Sequence, residues 1–122
     1  MTADVPAWLG PRPAPLSFDF ATATIYLDHL EELLAVVDQL LRSQLDLVEH
    51  ALLNFDGHAA RAFRERSAYL AGRWELERQR ITDAILDAED QVARARVVIA
   101  AREAERRAWE VRLHRYQQTL AP

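Results

Sequence analysis

Apolar residues in the first half of the chain fall into rows spaced by seven. Phe20, Leu27, Leu34, Leu41, Val48 and Phe55 make one row, and Ala23, Leu30, Val37, Gln44 and Ala51 a second. A third holds Tyr26, Leu33, Leu40 and Leu47. As heptad positions a, d and g, these rows predict a helix whose apolar stripe is three positions wide. A two-stranded seam needs only two, so this helix is expected to be covered by at least two neighbours. Gln44, the polar member of the d row, is expected to fix register.

The helix is predicted over about 18–54, with Ser17 or Asp19 as its N-cap and a turn over about 55–58. Gly57 is the natural residue for a left-handed turn conformation, because it carries no Cβ. A helical pattern restarts at once, and a connection this short makes the two helices antiparallel neighbours. The second helix is predicted over about 59–120. Its seam reads Ala60, Phe63, Ser67, Leu70, Trp74, then Ile81, Ile85, Ala88, Val92, Ala95 and Ile99, then Trp109, Leu113, Tyr116 and Leu120. The step from Ile81 to Ile85 is a local slip in the repeat. Glu77, Arg102 and Arg106 are polar positions in the same seam, and Gly72 is read as a point of close helix approach. No strong breaker follows Gly72, so one continuous helix is expected, with Asp87–Asp90 the place for any break.

Proline marks off the remainder. Pro6, Pro11, Pro13 and Pro15 confine residues 1–17 to an extended arm, and the fifth proline is Pro122. The arm has two readings: a loose tail with an incidental tryptophan, or a segment whose Trp8 docks into a groove on a partner or on its own bundle. At 1.5 Å per residue the helices would run roughly 55 and roughly 90 Å, so the last third of the second overhangs the first. Trp109, Leu113, Tyr116 and Leu120 are too large and too regular to be left in water there. The fold expected is therefore all-α. It is an antiparallel two-helix hairpin over 18–122 with a long second helix, assembling into a four-helix-type bundle or larger helical oligomer.

Charge sharpens the pairing. The net charge of −4 comes from 19 acids and 15 bases, and every base is arginine, a lysine-free composition typical of a GC-rich genome. Residues 1–57 hold two arginines and nine acids, net −7, whereas residues 58–122 hold 13 arginines and ten acids, net +3. An acidic helix against a basic one favours the antiparallel register. Pairs at i,i+4 such as Asp90 with Arg94 and Glu103 with Arg107 add a few tenths of a kcal/mol each.

The chemistry expected is that of binding. With no cysteine there is no disulfide or thiolate metal site. His29, His50, His58 and His114 include no Glu-x-x-His or His-x-x-x-His arrangement, so no metal site is expected. The acids Asp83, Asp87, Glu89 and Asp90 read as a solvated face. Ser17, Ser43 and Ser67 lack any nucleophile context, and no glycine-rich loop would cradle a phosphate. Neither a catalytic residue nor a cofactor is assigned, and no small-molecule substrate is expected. Seven arginines and three glutamates between Arg94 and Arg115 raise the question of nucleic acid, but Trp109 and Tyr116 follow the core period and the total charge is acidic. No stretch reaches the roughly 18 to 20 apolar residues of a membrane span, and the N-terminus lacks signal-peptide character. The expected location is the cytoplasm, or outside the cell by a route without a cleavable signal.

The turn segment Phe55-Asp56-Gly57-His58-Ala59-Ala60-Arg61-Ala62-Phe63 resembles that of the WXG100 (ESAT-6-like) proteins of type VII secretion. Phe55 stands where that family has tryptophan; Gly57, the small Ala59 and Ala60, and the aromatic Phe63 match. The family's C-terminal Tyr-x-x-x-Asp/Glu signal is not matched, since Leu120 lies four residues after Tyr116. The resemblance implies a bacterial type VII secretion substrate or its pairing partner. The residues expected to matter are then Phe55, Gly57 and Phe63 at the turn, and Trp8, Trp74, Trp109, Leu113, Tyr116 and Leu120 at a partner interface. The expected partner is another copy or another hairpin protein. The alternative is a structural coiled-coil subunit or adaptor of a larger multi-protein assembly.

Overall fold

A computed structural model describes residues 5–53 and 57–120. It contains two long α-helices, α1 over Phe20–Ala51 and α2 over His58–Leu120, preceded by one 3-10 turn at Ala7–Leu9. The all-α hairpin read from the heptads is the fold observed. Asp19 directly precedes α1, whereas Ser17 lies further upstream. Within α1 and α2, Thr24 and Thr82 fold their hydroxyls back onto the carbonyls four residues earlier, at 2.9 Å each, so neither polar side chain interrupts its helix. Helix α2 continues through Asp87–Asp90, as expected from the absence of a breaker.

Contacts divide the chain into two units. The first is the hairpin proper, Phe20–Asp90. Its core joins Val37 of α1 to Ile81 and Ile85 of α2, with Leu27, Leu30, Leu34 and Trp74 packed around them. The slip at Ile81–Ile85 thus has a use, because both isoleucines reach one valine. Gln44 performs the role expected of it: its amide donates to the Ser67 carbonyl at 3.4 Å, across the hairpin. Further along, Arg78 donates to Asp38 at 2.6 Å. That hydrogen bond, then the charge behind it, raises the Arg78 pKa above its ordinary value. The pair is substantially exposed, so it acts on register more than on stability.

Two local expectations are corrected here. Gly57 does not terminate α1, which ends at Ala51; it opens α2, its carbonyl accepting from the Arg61 amide at 3.2 Å. Its φ of +97° still demands glycine. Gly72 has nothing within 4 Å of where a Cβ would sit, so it marks no close helix approach.

The second unit brings the described residues of 1–19 against those of 91–122. The last third of α2, expected to overhang α1 and to be buried by another chain, is partly covered by the proline-rich arm of its own chain. The arm is also not wholly extended, since Ala7–Leu9 make a 3-10 turn. A single turn is possible there because Pro6 contributes only its carbonyl, which accepts from the Leu9 amide at 3.0 Å.

Candidate interaction surfaces

The arm is held by chemistry that proline creates. A proline-rich strand has few amide donors but keeps every carbonyl, so the matching surface must be rich in donors. Helix α2 supplies them. The Trp109 indole donates to the Gly10 carbonyl at 3.2 Å, and the Arg102 guanidinium donates to the Ala14 carbonyl at 2.9 Å. Between these, Arg12 pairs with Glu110. The spacing is commensurate: four extended residues cover about 12 Å, and the seven helical residues from Arg102 to Trp109 about 10.5 Å. Leu9 is buried with Trp109, at 9% and 7% exposure. Gly10 turns the chain between them with φ 72° and ψ −177°, a conformation open to glycine alone. The polar seam positions Arg102 and Arg106 are thereby accounted for in part. Arg106 pairs with Glu103 at 3.1 Å, one helical turn back rather than with a following residue, while its Nε is buried without a partner.

Trp8, read either as incidental or as an anchor that docks into a groove, is not what the arm buries. It stays 67% exposed and meets Tyr116 edge to face, with centroids 6.0 Å apart. Arg112, Arg115 and Thr119 complete a shallow recess of about 280 Å³ beside this pair.

A larger recess of about 570 Å³ runs along the hairpin unit. Leu40, Leu47 and Val48 line it from α1, and Phe63, Leu70 and Trp74 from α2. No residue lining it is charged. Above it the whole g row of α1 is exposed: Tyr26, Leu33, Leu40 and Leu47 all face water. The α1 residues in the core shared with α2 come from the a and d rows: Leu27, Leu30, Leu34 and Val37. The third row, which made the stripe too wide for one neighbour, has none among the described residues.

The site residues read from the sequence are therefore distributed as follows. Phe55 lies outside the described residues. Gly57 opens α2, and Phe63 is half in water at the rim of the recess. Trp74 is shared between the hairpin core and the recess. Trp109 is occupied by the chain's own arm; Leu113 is half-buried, as is Tyr116 under Trp8. Leu120 is exposed. Leu9, Gly10, Arg12 and Arg102 were not singled out as interaction residues. The signal for them was present: a run of spare carbonyls in the arm and unexplained arginines in an apolar seam.

Among the described residues no group of three or more His, Asp or Glu side chains is placed to hold a metal ion. His114 meets Gln118 at 3.1 Å, and Glu110, four residues before it, pairs with Arg12. Asp83 accepts from Gln79 at 2.8 Å. Among the described residues no helix is long and apolar enough to cross a membrane.

These features define an all-helical hairpin with an unpartnered apolar row and an arm clasped to its own second helix. Residues 2–91 match the family described as VMAP-M0, the vWA-MoxR associated protein middle region 0, and the chain belongs to that family. No curated protein and no solved structure matches it. The family assignment overturns the resemblance to the WXG100 proteins and, with it, the type VII secretion reading. The reason is physical. A glycine at a tight helix connection, small residues after it and aromatics at the bundle end are what any short-looped hairpin requires, so they mark a geometry rather than a lineage.

Proposed function

We propose that this chain is a non-enzymatic adaptor, a helical binding module in a multi-protein assembly that contains the vWA and MoxR proteins named in its family's description. The observation that carries the reading is the exposed g row of α1, continuous with an uncharged recess between the helices. Contiguous apolar surface of this kind is tolerated where a protein covers it. The family description, which speaks of association, supports the same reading. Catalysis has no part in it, nor has a cofactor, a small-molecule substrate or nucleic acid, and the place of action is the cytoplasm.

The test is reconstitution. The full chain, purified with the vWA and MoxR proteins of the same cell, is passed over a sizing column alone and in mixtures. Co-elution with at least one of them, lost on replacing exposed Leu33 and Leu47 by glutamate, is the expected result. Independent elution of all three at micromolar concentrations would end the adaptor reading.

A further inference from the structure

Trp8 is exposed by construction. A 3-10 turn separates successive side chains by about 120°, so burying Leu9 turns Trp8 outward. The turn is fixed at both ends, by the Leu9 amide on the Pro6 carbonyl and by the Gly10 amide on the Ala7 carbonyl. The Gly10 carbonyl accepts in turn from the Trp109 indole. Trp8 is thus held against Tyr116 with most of its surface in water, and its ordering entropy is already lost in the folded chain. That is what a binding anchor requires.

The rest of the recess beside it is helical. Arg112, Arg115, Tyr116 and Thr119 recur at i, i+3, i+4 and i+7, one face of α2. Thr119 donates its hydroxyl hydrogen to the Tyr116 carbonyl at 2.7 Å. Both arginines are exposed, and among the described residues neither has a carboxylate partner. The acids upstream are otherwise engaged: Glu110 pairs with Arg12, and Glu105 with Arg102 at 3.4 Å. The helix dipole does not account for the arginines either, because its effect falls off within the last turn, which holds no basic residue. Tryptophan, tyrosine and arginine are the side chains enriched among those that carry most of the energy of protein interfaces. All three meet here, on a surface that shares no residue with the hairpin recess.

We propose that this recess is a second binding surface, which takes an acidic protein segment carrying one apolar side chain. The recess, about 280 Å³, has room for one large side chain against Trp8 and Tyr116. Two carboxylates of the same segment reach Arg112 and Arg115, whose Cβ atoms, one helical turn apart, are separated by about 5–6 Å. Number decides against other polyanions. Anionic lipid surfaces are recognised by clusters of roughly four to eight basic residues, and DNA by roughly six to ten phosphate contacts. Two free arginines suit neither, and the net charge of −4 opposes both. The surface lies beyond the adaptor reading, which concerns the hairpin face, and gives the adaptor a second point of attachment.

The probe is the acetylated and amidated peptide Gly-Ser-Glu-Glu-Phe-Glu-Glu-Ser-Gly, titrated into the isotope-labelled full chain and followed by NMR through the tryptophan indole signals. Trp8→Phe identifies the Trp8 signal by removing it. That signal should shift saturably, with half-saturation below about 1 mM. The signal of Trp74, a residue of the hairpin core, should stay in place. Arg112→Gln with Arg115→Gln should weaken binding about tenfold, the effect of two exposed ion pairs. Replacing the peptide's glutamates by glutamine should do the same, and this arm needs no variant protein, so it stands even if the arginine substitutions disturb the helix. No shift up to about 5 mM peptide, or an equal response to the glutamine peptide, would overturn the proposal. So would an equal or stronger response of the Trp8 signal to a thymidine oligonucleotide or to phosphatidylglycerol vesicles, which would assign the recess to a polyanion. None of these outcomes touches the adaptor reading, whose own test alters Leu33 and Leu47 on the hairpin face.

Discussion

Among the described residues Gly57 and Gly10 are the two whose backbone conformation disfavours a side chain, and for the same reason. Each has positive φ, 97° and 72°, and neither has an atom within 4 Å of a built Cβ. Any substitution cost at these sites is therefore conformational and not a steric clash with a neighbour. Gly57→Val is expected to destabilise the chain by roughly 1–2 kcal/mol, lowering the thermal midpoint by several degrees. A melt followed by circular dichroism decides the matter, and an unmoved midpoint would mean that the turn does not need positive φ. The glycine was legible in the sequence as a turn residue. Its place at the start of α2 was not, because helix ends are set by hydrogen bonds that composition does not specify.

At the scale of elements, the arm and α2 show how sequence-distant segments answer each other. Proline removes the amide donors at positions 6, 11, 13 and 15, and an apolar seam that includes arginine and tryptophan donates to the arm's carbonyls. Deleting residues 1–17 is expected to expose Trp109, shifting its fluorescence to the red and increasing binding of a hydrophobic dye such as ANS, with little loss of helical signal. An unchanged emission maximum would show that the arm does not shield Trp109. The heptad rows of α1 were fully legible, including a stripe too wide for one neighbour. Which row would be left over was not. A 3.5-residue repeat states how many rows are apolar, and only the azimuth of α2 settles that a and d are covered while g is exposed.

At the scale of the molecule, the hairpin core is small. Val37, Ile81 and Ile85 are its buried members, and around them stand partly buried leucines and a tryptophan. With so small a core, any association of the proposed binding face would add a large share of the stability. The thermal midpoint of the full chain is therefore expected to rise with partner concentration, by a few degrees for each tenfold increase, because a bound partner adds stability by mass action. Calorimetry at three concentrations across two decades tests this, and a constant midpoint would assign the whole of the stability to the single chain. The charge partition acts at this scale too. The net −7 and +3 of the two halves favour antiparallel pairing within the hairpin.

The sequence by itself determined that the chain is helical, that a glycine-bearing turn folds it into a hairpin, and that one helix carries an apolar stripe three rows wide. Periodicity, proline placement and charge are local properties, and they are carried by the order of residues alone. Only the tertiary structure decided that the arm returns to Trp109, that Leu9 rather than Trp8 is buried there, and that the g row is the one left open. These depend on which surfaces meet across 90 or more residues of chain, as in the Gly10–Trp109 contact. Such meetings follow from the complementarity of donors, acceptors and apolar area in three dimensions.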